Sequence, residues 1–531
     1  MIKGVNPRSV VQSIPMFRAA LLFVLGILIG DFLGDAVGAV GWLVCFSVLT
    51  IAAYILYKVN EMLCSVAILI AIVISGCMRI SYNNESLDYI SADVSRVCEV
   101  VVISDPVVRG KVIMFDCADV KDGYKIRCSL LRDTITGRYK TVHIGDGLRA
   151  NMDMTPLRDW HRINSHFDYV RWLKARNFVG RGFIEIDKWE KKEMGLRDMS
   201  VWNYVIVKLL VFRDAILNDI KDTGMDADAF AVATAMAFGN KGALSADLRD
   251  DYNMAGASHI LALSGMHLSI IYIILMFIIG KRYSKKLKVM TLCMVWLYVF
   301  FVGMPLSVVR AACMLTLWEV IGMMENSQYQ LNVFGLTMLL MVAVSPQSIW
   351  DVGFQMSFSA VFAIIAFMGP VNRIMPRKIR PLNKKKKRKM KKSKIVMLTV
   401  LRKMWYTIAI SCSAQIGTLP LTVYYFGRIP LLFILTNVFV IPMAVAVIGG
   451  MLVMACVVVI NMILGGWLWN VVKVVGCCVN CIVMLQNWVL RFIANIPGAS
   501  IEGIDVSGVQ MIGAYVIIVG VMLFLNRKEM N

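Results

Sequence analysis

Twelve apolar runs divide this chain, near residues 19–34, 39–57, 63–80, 254–280, 287–303, 305–324, 331–345, 349–369, 395–426, 429–460, 467–490 and 509–525. A hydrocarbon core about 30 Å thick takes about 20 apolar residues per helical crossing. The longer runs therefore cross it, and the shorter ones are tilted, re-entrant or lateral. Eight to twelve crossings are expected. Composition agrees, with 58% hydrophobic residues and 17% charged ones gathered into a few stretches. The sequence reads as a polytopic α-helical membrane protein with one water-soluble domain.

The charged stretches set the topology, because Lys and Arg in short loops stay on the cytoplasmic side. Lys3, Arg8 and Arg18 put the N-terminus inside, Lys58 follows one hairpin, and a third crossing exports the segment from about 81 to 253. "KRYSKK" (281–286), the run from 376 to 394 and "NRK" (526–528) share the inside parity, so both termini are expected in the cytoplasm. No small-residue cleavage site follows the first apolar run, which reads as a retained anchor. "RPLNKKKKRKMKKSK" (380–394), with Arg377 and Lys378, supplies 12 of the 56 basic residues. Its role is topological, with attraction to anionic headgroups of the lipid bilayer; the net charge of +21 thus says little about the outer face.

Four regions follow: anchor segments over 1–80, an exported domain over 81–200, amphipathic linker helices over 201–253 and the main transmembrane domain over 254–531. In the exported region "VCEVVVI", "KVIMFDC", "YKIRCSLL", "RYKTVHI", "GLRANM" and "VGRGFIEI" read as strands separated by turn residues, with a helix at "HFDYVRWLKAR" (166–176). Such a set suggests a small β-barrel of the OB type, a fold that often holds single-stranded nucleic acid. The domain is nearly neutral, with 20 Lys and Arg against 18 Asp and Glu over 81–200. Arg158, Trp160, Arg162, Tyr169, Arg171, Trp172, Lys174 and Arg176 interleave cations with aromatic rings, a pattern that follows phosphates and stacks bases. At helical spacing, however, Phe167, Val170 and Leu173 are core and the basic residues a solvated face. Cys117 and Cys128 are candidates for a disulfide, with Cys98 as competitor. "CVNC" (478–481) has redox spacing, yet lies in an apolar helix and reads as packing.

Polar groups also enter the apolar region. "ASHILALSGMHLSII" (257–271) carries His259, Ser264 and His267; other runs carry Arg310 and Glu319, Asp351 and Gln355, Gln415, and Asn437 beside Pro442. Ionisable groups at a helix centre cost at least about 2.5–3.5 kcal/mol each, so together they imply an internal polar cavity. Ser264 and His267 lie one turn apart, the spacing of an intramembrane Ser–His hydrolase, but activation also needs an oxyanion hole and a way for water to enter. His259 and His267, about 80° apart on a helix, make a poor zinc pair. No HExxH, H-x-H-x-D-H or P-loop occurs, so neither metal nor cofactor is expected.

"GASHILALSGMHLSII" (256–271), "PLSVVRAACM" (305–314), "SPQSIWDVGFQMSFSAV" (345–361) and "IGTLPLTVYYFGRIPLLFILTNVFVIPMAV" (416–445), in this order, resemble the signatures of the ComEC-type competence proteins. "AMAFGNKGALSADLRDDYNMAGASH" and "HFDYVRWLKARNFVGRGFI" are similar to further parts of that family, so the resemblance runs from about 20 to 525. It implies a bacterial cell-membrane channel that passes one strand of transforming DNA inward, with an exported OB-like domain receiving it. His259, Ser264, Gly265 and His267 carry over from the first signature, Arg310 from the second, and Asp351, Gly353, Phe354 and Gln355 from the third. Their implied role, with Gln415 and Asn437, is lining or shaping the pore rather than catalysis. Asn240 stands where the family commonly has an acid. Many members end in a metallo-β-lactamase-like domain, for which this chain has no motif. A separate nuclease, a DNA receptor outside and a helicase-like ATPase inside are therefore the expected partners. A transporter of a small or lipid-linked solute is the alternative reading.

Overall fold

The computed structural model describes residues 14–87, 94–121, 123–157, 168–193, 200–279, 284–324, 330–376, 379–380 and 390–527. Arg158, Trp160, Arg162, the N-terminal cations Lys3 and Arg8, and most of the 380–394 basic run lie outside them. Among the described residues nine helices are long and apolar enough to cross a membrane. They are α1 (Pro15–Leu33), α2 (Ala39–Leu56), α3 (Glu61–Leu87), α10 (Leu306–Met324), α12 (Val352–Arg373), α13 (Lys392–Phe426), α14 (Phe433–Ile463), α15 (Trp469–Ala494) and α16 (Gly508–Arg527). The remaining helices are α4 (Tyr169–Lys174), α5 (Val201–Lys221), α6 (Ala227–Phe238), α7 (Ala246–Met254), α8 (Gly265–Ile279), α9 (Lys285–Phe301) and α11 (Gln330–Val344).

The chain forms two compact units: residues 14–219 with 275–351, and residues 220–274 with 352–531. In the first, a small barrel is built from β1 (Val94–Val102), β3 (Val112–Asp119), β4 (Lys125–Leu131), β5 (Gly147–Pro156) and β6 (Phe178–Lys192), while β2 (Val107–Arg109) adds to β3 at one side. The strand order β1-β5-β6-β4-β3 closes through an antiparallel β1–β3 pairing, and β4 runs parallel to β6. Alternation drives the closure: Ile113, Phe115 and Cys117 point inward from β3, Ile126, Cys128 and Leu130 from β4, and Leu148, Ala150, Met152 and Met154 from β5. At Gly182 a Cβ would approach Met152 Sδ to 3.0 Å, so a bare backbone lets β6 complete the barrel. This is the OB-like domain read from the sequence.

Two expectations change. "RYKTVHI" is not a strand: Gly137 at φ 66° starts a 3-10 turn over Arg138–Thr141. Cys117 and Cys128 are free thiols, not a bridge. The register pairs Cys117 with Ile126 and Phe115 with Cys128, which leaves the two cysteines diagonal rather than opposed. Burial pushes the Cys117 thiol up from its ordinary value.

Glycines set the helix packing of this unit. A Cβ at Gly26 would meet Val73 O at 1.9 Å, one at Gly30 would meet Cys77 Cα at 2.8 Å, and one at Gly76 would meet Phe23 O at 2.3 Å. "GILIG" is thus a small-xxx-small face on which the α1 and α3 backbones touch. Arg79 of α3 donates from Nε to Ala343 O (2.6 Å) and from Nη2 to Val344 O (2.7 Å), placing a cation at the carbonyl end of α11 where the helix dipole favours it.

In the second unit α12 packs on α13, α13 on α14, and α14 on α15. Residues Ala231–Phe238 of the Ala-rich α6 are buried throughout, packed on α14 and α15, so this part of the linker region is not amphipathic. Gly417 of α13 lies against Ser359 O and Ala363 Cβ of α12, and its carbonyl accepts from Ser359 Oγ and from Tyr515 Oη (2.8 Å).

Gly76→Val is expected to force α1 and α3 apart, at an overpacking cost of about 1–3 kcal/mol. Thermal unfolding of the purified protein in detergent measures it; an unchanged midpoint would refute the close contact.

Candidate functional site

Asp351 follows a 3-10 turn (Pro346–Trp350) and precedes α12, and its side chain is 3% exposed. Its Oδ2 accepts from Arg176 Nη1 at 2.8 Å, and its Oδ1 lies 3.8 Å from Arg310 Nη1, whose side chain is 4% exposed. Arg310 rises from the second turn of α10, while Arg176 follows α4 in the barrel domain. One carboxylate therefore meets two guanidinium groups, one from an apolar helix and one from the barrel. Burial lowers the Arg176 guanidinium from its ordinary value, and Asp351 opposes the shift.

The same barrel face holds more of these contacts. The Arg176 guanidinium sits 3.9 Å from the Trp172 ring centroid, Arg127 sits 5.1 Å from it, and Tyr169 stacks on Trp172 at 5.4 Å. Arg127 pairs with Asp116, its directly opposed residue across β3–β4, at 2.8 Å, and donates to Tyr169 Oη at 2.8 Å. Arg171 lies over the Trp350 ring at 4.8 Å and pairs with Asp31 of α1 at 3.2 Å. Of the aromatic and basic residues singled out in the sequence, Tyr169, Arg171, Trp172 and Arg176 are thus joined in internal stacks and ion pairs, and Lys174 is half-buried. Arg127 and Asp116 gave no sequence signal beyond alternation in their strands.

The first signature belongs to the second unit. Its helix begins at Gly265, after a short 3-10 turn over Ser258–Ile260; the 15 residues of α8 extend about 22 Å. Ser264 is the N-cap and His267 the third helical residue. Ser264 N–H donates to His267 Nδ1 at 3.0 Å, and Ser264 Oγ lies 2.9 Å from the same nitrogen. The imidazole thus accepts from the N-cap amide, as the third-residue side chain of a capping box does, in place of the usual carboxylate or amide. Nδ1 acts as acceptor, so the neutral ring carries its proton on Nε2; among the described residues that buried atom has no hydrogen-bond partner. Nδ1 is thus shared between the backbone amide and the hydroxyl of Ser264. His259 is exposed on the preceding turn.

From the third signature, Gly353 is exposed in the first turn of α12, Phe354 is buried with its ring 4.3 Å from that of Phe358, and Gln355 Oε1 accepts from Tyr425 Oη at 3.0 Å. Asn437 of α14 is buried and donates from Nδ2 to Ser411 Oγ at 3.3 Å. Neighbouring Thr436 donates from Oγ1 to Ala255 O at 2.7 Å. Gln415 is half-buried on α13. Among the described residues no three His, Cys, Asp or Glu side chains form a metal-binding group.

Sequence reasoning missed a second network, buried at Tyr252, Gln486 and Asn487 and exposed at Arg491. Tyr252 Oη donates to Asn487 Oδ1 (2.8 Å), Gln486 Nε2 donates to Tyr252 Oη (3.1 Å), and Arg491 bridges Asp228 (2.7 Å) and Asp251 (3.1 Å). The amides in "LQNWVLR" were its available signal.

Replacing Asp351 with Ala removes the carboxylate that both arginines face; breaking a buried pair costs about 3–5 kcal/mol. Asp351→Ala is expected to lower the unfolding midpoint far more than Arg176→Ala, whose side chain is 29% exposed. Equal losses would show that the cluster does not depend on the carboxylate.

Residues 236–528 match the family described as "Competence protein". The chain is 20% identical over 396 residues to ComE operon protein 3 of Bacillus subtilis (strain 168), covering 73% of this chain and 45% of that protein. It is 32% identical over 108 residues to an uncharacterized protein of Mycoplasma pneumoniae, covering 20% of this chain and 28% of the relative. It is 30% identical over 154 residues to an uncharacterized protein of Aquifex aeolicus, covering 29% and 37%. The chain spans less than half the length of each of these relatives. No solved structure matches it significantly.

Proposed function

This chain belongs to the competence protein family, and from that premise we propose that it acts in DNA uptake, as the membrane channel that passes a single strand into the cytoplasm of a bacterium. The observation that carries the reading is the span of the family match, which takes in every polar motif of the apolar region from His259 to Asn437. Physical support comes from the cost of those groups in lipid: a protein that only anchored a domain would gain nothing from burying Arg310, Asp351, His267 and Asn437.

In this reading the barrel faces the exterior and receives DNA, with Arg158, Trp160, Arg162 and Lys174 as its contacts to the strand. The Arg176–Asp351–Arg310 cluster holds the barrel's α4 end against α10, fixing the point of delivery. His267 shapes the start of α8. Gln355, Gln415 and Asn437 offer neutral hydrogen bonds in place of water, so that a polyanion passes without a tight phosphate site that would stall it. A receptor protein outside delivers the DNA, a helicase-like ATPase inside drives it, and a separate nuclease removes the other strand.

The test is genetic. Deleting the chain from a competent host should reduce the entry of labelled single strands into the cytoplasm by about tenfold or more. Arg310→Ala and His267→Ala, each confirmed in the membrane at normal levels, should also reduce it. Undiminished entry in the deletion strain, with no paralogue present, would reject DNA transport.

A further inference from the structure

Between Lys403 and Arg428 helix α13 carries no charge. Within that interval Thr407, Ser411, Gln415, Thr418, Thr422 and Tyr425 follow one another at steps of four, four, three, four and three residues. At 100° per residue all six lie within about 40° of one direction, and they extend along about 27 Å of helix, close to the thickness of a hydrocarbon core. The contacts with α12 and α16 made by the Gly417 backbone lie on a different side of the helix.

Three of these groups decide nothing. The hydroxyls of Thr407, Thr418 and Thr422 donate to Lys403 O, Ala414 O and Thr418 O of their own helix, an arrangement lipid tolerates. Gln415 is different: it is half-buried, and among the described residues its amide has no hydrogen-bond partner. A second observation comes from another helix. Asn437 of α14, 8% exposed, reaches Ser411 with one end of its amide, while its Oδ1 is buried with no partner among the described residues. Turning the amide over exchanges the two ends and still leaves one without a partner. At the opposite end of the row Tyr425 is held by Gln355 of α12.

We propose that this face of α13, with Asn437, is one wall of a hydrated path through the membrane, lined by neutral amides and hydroxyls. Water satisfies the Gln415 and Asn437 amides when the path is at rest. A single strand passing along it exchanges hydrogen bonds with groups that carry no charge. That the path carries the strand rests on the function proposed above; that it contains water does not.

Single cysteines at Gln415, Thr418 and Thr422 are compared with Ile410→Cys, a control 45% exposed on another side of the same helix. Whole cells are treated with a hydrophilic methanethiosulfonate, and modification is located by peptide mass so that native thiols do not interfere. The three row positions should react at least about tenfold faster than position 410; equal rates would overturn the hydrated wall. Uptake of labelled DNA is then measured in Gln415→Leu and Gln415→Asn at matched membrane levels. Loss in the first with retention in the second supports passage of the strand. Fast labelling together with normal uptake in Gln415→Leu would overturn the cargo while leaving the water.

Discussion

An ionised carboxylate removed from water persists only if cations or hydrogen-bond donors replace its hydration. Asp351 is such a group, and it joins three separate segments of the first unit. Arg310 reaches it from an apolar helix and Arg176 from the end of the barrel, so one side chain links α10 to the segment that follows α4. The stacks of Arg127, Trp172 and Tyr169 then fix the planes of the neighbouring groups, and Arg171 ties the same segment to Trp350 and Asp31. An electrostatic contact thereby joins the barrel to α10 and to the turn before α12, beside the apolar contact that Leu87 of α3 makes with the barrel core.

Much of the architecture was legible in the sequence because its signals are local. The alternation in "KVIMFDC" and "GLRANM" gave strands where β3 and β5 form, and the length of the apolar runs gave spanning helices. The spacing of Ser264 and His267 showed that their side chains would meet, although the capping role depends on where α8 starts. "RYKTVHI" misled because Gly137 adopts a left-handed conformation that turns the chain before a strand can begin.

The ion pairs were not legible, since Arg176 and Asp351 are 175 residues apart and nothing near either names its partner. The interleaved rings and cations of 158–176 show the difficulty. Their pattern suits a nucleic acid, but Arg171, Trp172 and Arg176 meet partners of their own chain. Composition records which chemistry is present, whereas only the fold says what it faces. The same holds on α13, where an amide-and-hydroxyl row looks unremarkable in sequence until the helix brings it to one side and α14 places Asn437 at its end.

The burial of α6 has a consequence for how the protein is made. This Ala-rich segment has no surface of its own to show water or lipid over most of its length, and its packing partners α14 and α15 begin about 200 residues later in the chain. During synthesis it must wait, exposed or shielded by other factors, until those helices emerge. The second unit cannot close from its N-terminal end, and its final packing is set by the last third of the sequence.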